Sequence, residues 1–152
     1  MSLESIKEAI KDLKNDDELI IKPIDVSVCD ETSDLFIDFL RLLESSEHIL
    51  GLKVRGHVDN IETSIKIYDA ISEMIKKKCC LSKIIFIGKM FGRIKFLEKL
   101  TNALGEDESI KSIHFKAVNP NVEECEFLCQ TISKNENSIF SVLTPGMSID
   151  QG

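Results

Sequence analysis

Cysteine and histidine are the residue types in this sequence best suited to metal binding or nucleophilic chemistry. Cys125 and Cys129 lie four residues apart on one predicted helical face, and Cys79 and Cys80 are adjacent. A structural zinc site usually needs a second close pair of thiols or histidines. Cys125 and Cys129 instead fall on the apolar stripe of their helix, where a thiol behaves as a small hydrophobic side chain. We therefore expect neither a metal nor a cofactor.

No pattern typical of an enzyme accompanies the three histidines, His48, His57 and His114. They are far apart in the sequence, and no serine or cysteine occupies a recognisable nucleophile turn. Gly88-x-x-x-Gly92 joins a predicted strand to a helix, but it lacks the lysine and hydroxyl residues of a P-loop. It is typical of a tight turn. The sequence predicts no catalytic residues and a protein that is not an enzyme.

The composition is that of one globular domain. The 152 residues carry a net charge of −7, with 43% hydrophobic and 30% charged residues. Wrapping of nucleic acid or of an anionic membrane needs a basic surface, so neither partner is expected. The amino terminus lacks the order of a signal peptide, and no apolar run reaches the roughly 18 residues of a membrane span. Together with five cysteines, these features predict a cytoplasmic protein with reduced thiols.

A six-residue pattern, apolar-x-x-apolar-x-apolar, recurs five times and predicts repeated strands. The copies start 28, 32, 29 and 29 residues apart. The apolar positions are Ile21/Ile24/Val26, Ile49/Leu52/Val54, Leu81/Ile84/Phe86, Ile110/Ile113/Phe115 and an incomplete Ile139/Val142. Between the copies the apolar period becomes helical. The predicted helix stripes are Leu35/Phe39/Leu40/Leu43, Ile67/Ala70/Ile71/Met74, Phe96/Leu97/Leu100/Leu104 and Val122/Cys125/Leu128/Cys129/Ile132.

Local signals define where several predicted helices start. Asp59-x-x-Glu62 and Asn121-x-x-Glu124 have the spacing of a capping box. The segment from about 2 to 14 has a single apolar face and predicts a helix that covers the first repeat, as an open stack of repeats requires. We expect one domain over residues 1–144, with residues 1–15 as its N-terminal capping helix. Residues 145–152 are predicted to form a flexible tail.

The repeats resemble a known family. The stretch Ser109-Ile-Lys-Ser-Ile-His-Phe115, followed after a loop by Glu123-Glu-Cys-Glu-Phe-Leu-Cys129 and its continuation to Val142, looks like the ribonuclease-inhibitor class of leucine-rich repeats. Asn135-Glu-Asn-Ser-Ile139 is similar to repeat junctions of tropomodulins and leiomodins. The resemblance implies an α/β solenoid with a curved parallel sheet of about five strands and helices on its convex side. It also implies protein–protein binding through the concave face of the sheet.

The resemblance has one clear departure in the loops. Many such repeats place an asparagine two residues beyond the third apolar position, where its side chain bridges backbone amides of successive turns. Here the equivalent positions are Val28, Gly56, Gly88 and Ala117. Isoleucine and phenylalanine also replace most of the leucines. The chain is therefore expected to be a divergent member.

The residues between the apolar strand positions should line the concave face. Three residues of each of the first four copies are assigned to this face, and six of these twelve are lysine or arginine. Such a surface suits an acidic protein partner, and the two isoleucines are expected to be exposed there as apolar anchors. The predicted partner-binding residues are Lys22, Lys53, Arg55, Lys83, Ile85, Ile87, Lys111, His114 and Lys116. The alternative is a solvated sheet whose lysines only maintain solubility.

Other functions remain open at this stage. Residues 31–97 also look like caseinolytic serine peptidases of the crotonase-like fold, which stack strand–helix turns in a similar way. This chain has the single Gly56 where that family has a glycine pair, and no serine between Gly88 and Gly92. That resemblance therefore implies a catalytically inactive assembly subunit. A regulator of a small GTPase, with Arg55 or Arg93 at the rim, and an actin-end binder are further alternatives. The last strand, over residues 139–143, could also mediate self-association.

Overall fold

Strands and helices alternate along the chain. A computed structural model describes residues 2–14, 23–45, 49–77, 81–104, 112–116, 118, 121–127 and 139–143. The strands are β1 (Ile24–Cys29), β2 (Gly51–His57), β3 (Lys83–Ile87), β4 (Ser112–Lys116) and β5 (Ile139–Leu143). The helices are α1 (Ser2–Lys14), α2 (Ser33–Glu44), α3 (Ile61–Lys76), α4 (Ile94–Leu104) and α5 (residues 122–127). Short 3-10 turns, Asp30–Thr32 and Lys89–Gly92, precede α2 and α4.

The five strands form one sheet in the order β1-β2-β3-β4-β5, with every neighbouring pair parallel. The prediction of an α/β fold with a parallel sheet is confirmed. Equivalent positions of successive units pair directly, so that Val26, Val54, Phe86 and Phe115 form one row across the sheet. All four side chains are buried. The alternating period of the six-residue pattern therefore corresponds to a sheet with one buried face.

Helices α2, α3 and α4 pack side by side on that buried face. Their apolar stripes join the strand rows in a continuous core. Its centre is aromatic, because Phe86 lies about 5 Å from both Phe91 and Phe96, with ring centroids 5.0 Å apart in each pair. Phe115 of the next strand lies 5.7 Å from Phe86. Offset and edge-on contacts of this kind add to the stabilisation that burial of the rings provides.

Helix α1 covers the outer edge of the sheet beside β1. Its buried residues Ile6 and Ala9 belong to the common core, and the helix contacts both β1 and α2. The Ser27 N–H of β1 donates a hydrogen bond to Ser5 Oγ at 2.9 Å. This bond satisfies an amide of an edge strand, which would otherwise be open to pairing with another chain.

Asp30 connects the first unit to the second. Its Oδ2 accepts from the Asp59 N–H at 3.2 Å, and its Oδ1 accepts from the Asn60 N–H at 3.1 Å. One carboxylate just beyond β1 thus bridges two backbone amides of the next turn. This is the role that asparagine has in many leucine-rich repeats, but the residue is acidic and lies two positions later than Val28.

The turn after β3 depends on glycine at two positions. Gly88 has a φ of +123°, a conformation that residues with a side chain rarely adopt. A Cβ on Gly88 would lie 2.3 Å from the Gly56 carbonyl oxygen, and a Cβ on Gly56 would lie 2.4 Å from Met90 Sδ. Gly88 therefore allows the close approach of the β2 and β3 backbones at this edge, and Gly56 leaves room for the side chains of Met90 and Phe91. The expected tight turn at Gly88 is present.

Two predictions about the first turns of helices are wrong. Helix α3 is capped by Asn60 rather than Asp59, because the helix begins at Ile61; the Asn60 side chain accepts from the Thr63 N–H at 3.1 Å. Val122 is 75% exposed because it is the first residue of α5. The buried position on that first turn belongs to Glu124.

The last repeat copy was placed two residues too late. Val142 pairs with Phe115 and Phe140 with Ile113, so Val142 occupies the third apolar position rather than the second. The second capping box is confirmed: the Asn121 N–H donates to Glu124 Oε1 at 2.9 Å, and the Glu124 N–H donates to Asn121 Oδ1 at 2.8 Å. The predicted tail over residues 145–152 lies outside the described residues, as do Cys79, Cys80, Leu128, Cys129 and Ile132.

Replacing the bridging carboxylate should destabilise the protein. Asp30→Ala leaves two exposed amides to water instead of the carboxylate, which we expect to lower the free energy of unfolding by about 1 kcal/mol. Asp38→Ala, which removes an exposed carboxylate from α2, is the control and should change it by less than about 0.5 kcal/mol. Urea unfolding followed by circular dichroism measures both. Equal stabilities of the two variants would show that the bridge contributes nothing.

Candidate protein-binding face

The sheet face opposite the helices brings together most of the residues predicted to contact a partner. Two rows cross it, Asp25–Lys53–Ile85–His114 and Ser27–Arg55–Ile87–Lys116, and Lys83 lies beside Ser112 in a third. We call this surface the open face and define it by these ten residues. Lys22 and Lys111, which were predicted to belong to it, lie outside the described residues.

Arg55 and Asp25 form an ion pair across β1 and β2. The Arg55 Nε and Nη2 atoms donate to the two carboxylate oxygens of Asp25 at 3.2 and 3.3 Å. Both side chains are about half exposed, at 48% and 47%, so the pair adds little to stability. Its main effect is electrostatic, since it offsets the charge of Arg55. The remaining positive charge of the open face comes from Lys53, Lys83 and Lys116.

The expected exposure of Ile85 is wrong. Its side chain is 8% exposed, although it points away from the helices. Ile85 is in the central strand, between Lys53 and His114 in its row, where long neighbouring side chains can cover an aliphatic group with their stems. Ile87, one pleat further along β3, is partly exposed. Ile87 is therefore the more accessible apolar residue of the two for contact with a partner.

His114 forms a hydrogen-bonded pair with Ser112 on the same strand. Its Nε2 lies 2.7 Å from Ser112 Oγ. Partial burial lowers the pKa of His114 below its ordinary value of 6.5, and the charges of Lys83 and Lys116 lower it further. The imidazole is therefore neutral at pH 7. Analysis of the sequence identified His114 but missed Ser112, although residues two apart on a strand share a face.

The Ser112–His114 pair is the arrangement on this face that most resembles catalytic machinery. A histidine that activates a serine must accept its proton and become an imidazolium. Lys83 and Lys116 oppose that charge, as the lowered pKa of His114 shows. Among the described residues, the hydrogen bond found for the ring is the one with Ser112, and no carboxylate orients it. The electrostatics of the open face thus disfavour this pair as a nucleophile and base.

A second polar cluster lies where β3 and β4 lead into their helices, and analysis of the sequence did not identify it. The Tyr68 hydroxyl donates to the Met90 carbonyl oxygen at 2.5 Å. Burial raises the pKa of Tyr68 to about 12, against the opposing effect of nearby Arg93. Glu124 is 5% exposed, and its Oε2 lies 3.7 Å from Arg93 Nη1. The sequence had indicated two of its members separately, Glu124 through the capping-box spacing and Arg93 as a candidate rim residue, but not their association.

The described residues do not supply a metal site. They contain no group of three or more histidine, cysteine, aspartate or glutamate residues positioned to share an ion. Within the same part of the chain, none of the helices has both the length and the apolar character needed to traverse a bilayer.

Comparison with known proteins does not assign this chain to a family. No family model matches the sequence, and neither does any curated protein. The interpretation of the open face therefore depends on its own geometry and charge.

The pKa of His114 should depend on the neighbouring Lys83 and Lys116. By NMR, we expect an imidazole pKa below 6.5 in the wild type, and Lys83→Ala or Lys116→Ala should raise it. Lys66→Ala, on the helix side, is the control and should leave it unchanged. Because the unfolded chain takes up this proton at a higher pH than the folded one, His114 should also reduce stability as the pH falls through 6.5. A pKa at or above 6.5 that is insensitive to both lysines would contradict this description.

Ser112 should not behave as an activated nucleophile. We expect no adduct when the protein is incubated with a fluorophosphonate and analysed by intact-mass spectrometry, because the adjacent cations disfavour proton transfer to His114. A known serine hydrolase treated in parallel shows that the reagent is active. An adduct that forms on the wild type and disappears in Ser112→Ala would show that the pair is reactive after all.

Proposed function

We propose that this chain is a non-catalytic protein-interaction module, and that its open face binds an acidic segment of a protein partner. The observation that carries the proposal is that Lys53, Lys83 and Lys116 share the open face with His114 and with the partly exposed Ile87, which pairs with Lys116 across β3 and β4. This occurs on a chain whose net charge is −7. The ten residues of the open face include four basic side chains and one acidic one, so this face is positive on an acidic chain.

The architecture that we propose for the module is a short leucine-rich-repeat solenoid. Support comes from the regular repeat spacing, from the direct pairing of equivalent strand positions, and from the helices α2, α3 and α4 on a single face of the sheet. Packed helices lie about 8–10 Å apart, whereas neighbouring strands lie about 4.8 Å apart. A sheet with helices on one side only must bend to accommodate both spacings. The open face would then be concave.

Such a surface can provide both attraction and specificity. The lysine ammonium groups would attract carboxylates as the two proteins approach. Ile87 would contact an apolar side chain of the partner, and His114 with Ser112 would supply neutral hydrogen-bonding groups beside it. Since Arg55 is already paired with Asp25, we assign the electrostatic contribution chiefly to the three lysines.

Reversal of charge on the open face should abolish partner binding. We expect Lys53→Glu/Lys116→Glu to weaken binding by at least about tenfold, since two favourable charge interactions become repulsive. The control, Lys7→Glu/Lys66→Glu, makes the same change of net charge on α1 and α3. Affinity capture from cell extract with quantitative mass spectrometry identifies the partner, and titration of the purified partner gives the dissociation constants. Both variants must retain the wild-type circular dichroism spectrum.

Two results would contradict the proposal. The first is an equal loss of the same partner in the control variant, which would mean that net charge alone controls binding. The second is an unchanged affinity of the open-face variant, which would leave its lysines with the role of solvated surface residues. A decrease of affinity with increasing salt concentration is expected for the wild type, because screening weakens exposed charge interactions.

A further inference from the structure

Three successive helices begin with an exposed or partly exposed aliphatic residue at the same edge of the sheet. Ile61 is the first residue of α3, Ile94 of α4 and Val122 of α5. Ile61 is 71% exposed and Val122 is 75% exposed. Each follows the carboxyl end of one strand, so the three occupy equivalent places in consecutive units. Burial in the core does not explain aliphatic residues at these positions.

A cleft of about 540 Å³ lies beside two of these residues. Val58, Ile61, Ile65 and Ile94 form its aliphatic walls. It opens where β2 and β3 lead into α3 and α4, away from the open face. We call it the rim cleft. A volume of this size is within the range of sites that bind small molecules or a few side chains of a peptide.

The charges that line the rim cleft are predominantly basic. Lys89, Lys95 and Arg93 contribute to its lining, opposed by Asp59 and Glu124. Glu124 is 5% exposed, and its carboxylate is occupied by the amide of Asn121 and by Arg93. Lys89 and Lys95 are exposed, and no ion pair is found for either among the described residues. With Asp59 also exposed, Lys89 and Lys95 leave the cleft with a small excess of positive charge on an acidic protein.

The floor of the rim cleft is held in place by internal hydrogen bonds. Tyr68 binds the Met90 carbonyl oxygen, and Asp30 fixes the Asp59 amide. The close approach of Gly56 and Gly88 also restricts the conformation of this turn. A site whose lining is already ordered loses less conformational entropy on binding. These constraints favour a preformed site over an incidental gap between side chains.

The usual separation of packed helices favours one conformation of a ligand that contacts both Ile61 and Ile94. Packed helices such as α3 and α4 lie about 8–10 Å apart. An extended polyproline-II segment repeats every three residues, with a rise of about 3.1 Å per residue, so equivalent side chains recur about every 9 Å. Aliphatic side chains at every third residue would match Ile61 and Ile94. Acidic residues between them would face Lys89 and Lys95.

We propose that the rim cleft binds an acidic peptide segment in an extended, polyproline-II-like conformation with an aliphatic side chain at every third residue. This site is separate from the open face and does not depend on the function proposed there. Nucleic acid fits the cleft poorly, because its walls are aliphatic and the hydroxyl of Tyr68 is committed to Met90.

Peptides of defined pattern test the proposal directly. The probe is a fluorescein-labelled peptide of repeated Leu-Pro-Glu, compared with Leu-Pro-Lys of equal length and with a peptide of the same composition whose leucines are not three apart. Fluorescence anisotropy gives the affinities. We expect the Leu-Pro-Glu peptide to bind at least about tenfold more tightly than either comparison peptide.

Matched variants locate the binding. Lys89→Glu/Lys95→Glu and Ile61→Ser should each weaken binding of the Leu-Pro-Glu peptide by at least about fivefold. The controls are Lys7→Glu/Lys66→Glu, with the same change of charge, and Leu42→Ser, which removes an aliphatic residue that is 39% exposed on α2. Both controls, and the open-face variant Lys53→Glu/Lys116→Glu, should bind as the wild type does. Amide shifts in NMR spectra of the wild type should change at Ile61 and Ile94.

Several outcomes would overturn the proposal. These are no binding of the Leu-Pro-Glu peptide at about 1 mM, equal binding of the Leu-Pro-Lys or permuted peptide, or an equal loss in the control variants. Loss of peptide binding in the open-face variant alone would show that the peptide binds to the open face. That result would refute the rim-cleft proposal and support the function proposed above. Circular dichroism and thermal unfolding of each variant distinguish lost binding from lost structure.

Discussion

Direct pairing of equivalent residues across a parallel sheet is the constraint on which the other features depend. Because Val26, Val54, Phe86 and Phe115 share a row, every unit delivers its apolar side chains to the same layer. A shift of one residue in any strand would transfer those side chains to the opposite face. The same pairing assembles the polar rows of the open face. Core and candidate binding surface are therefore two consequences of one register.

The apolar period predicted the strand rows of the first four copies and the stripes of α2, α3 and α4, but it misplaced the last copy and Val122. It did not predict the contacts between units. Strand rows and helix stripes follow from apolar spacing, which is local information. The burial of Ile85 depends on neighbours in other strands, and Asp30 binds the amides of Asp59 and Asn60 about thirty residues later in the chain. Neither contact can be recognised from the local sequence pattern.

The candidate site was predicted only in part for the same reason. Offsets within each copy placed Lys53, Lys83 and Lys116 on one face. They did not reveal that Asp25 neutralises Arg55, since that pair joins different strands. Counting charges along the chain overestimated the basic character of the surface. What remains positive is a smaller group of lysines with a partly exposed isoleucine among them.

The rim cleft was missed because its members come from separate motifs. Tyr68 belongs to the buried face of α3, Arg93 to the turn before α4, and Glu124 to the capping box of α5. Each has an ordinary structural role when considered alone. Stacking of the units places them side by side at the ends of parallel strands, where loops rather than sheet hydrogen bonds define the surface.

The two surfaces also differ in the spacing that they can recognise. On the open face, equivalent side chains recur at the strand separation of about 4.8 Å, which suits a closely spaced group of carboxylates. At the rim, equivalent residues recur at the helix separation of about 8–10 Å, because each begins a helix rather than lying in a strand. Successive repeats therefore present side chains at two different spacings, one set by the strands and the other by the helices. The two proposed sites would therefore present their ligand-contacting side chains at different spacings.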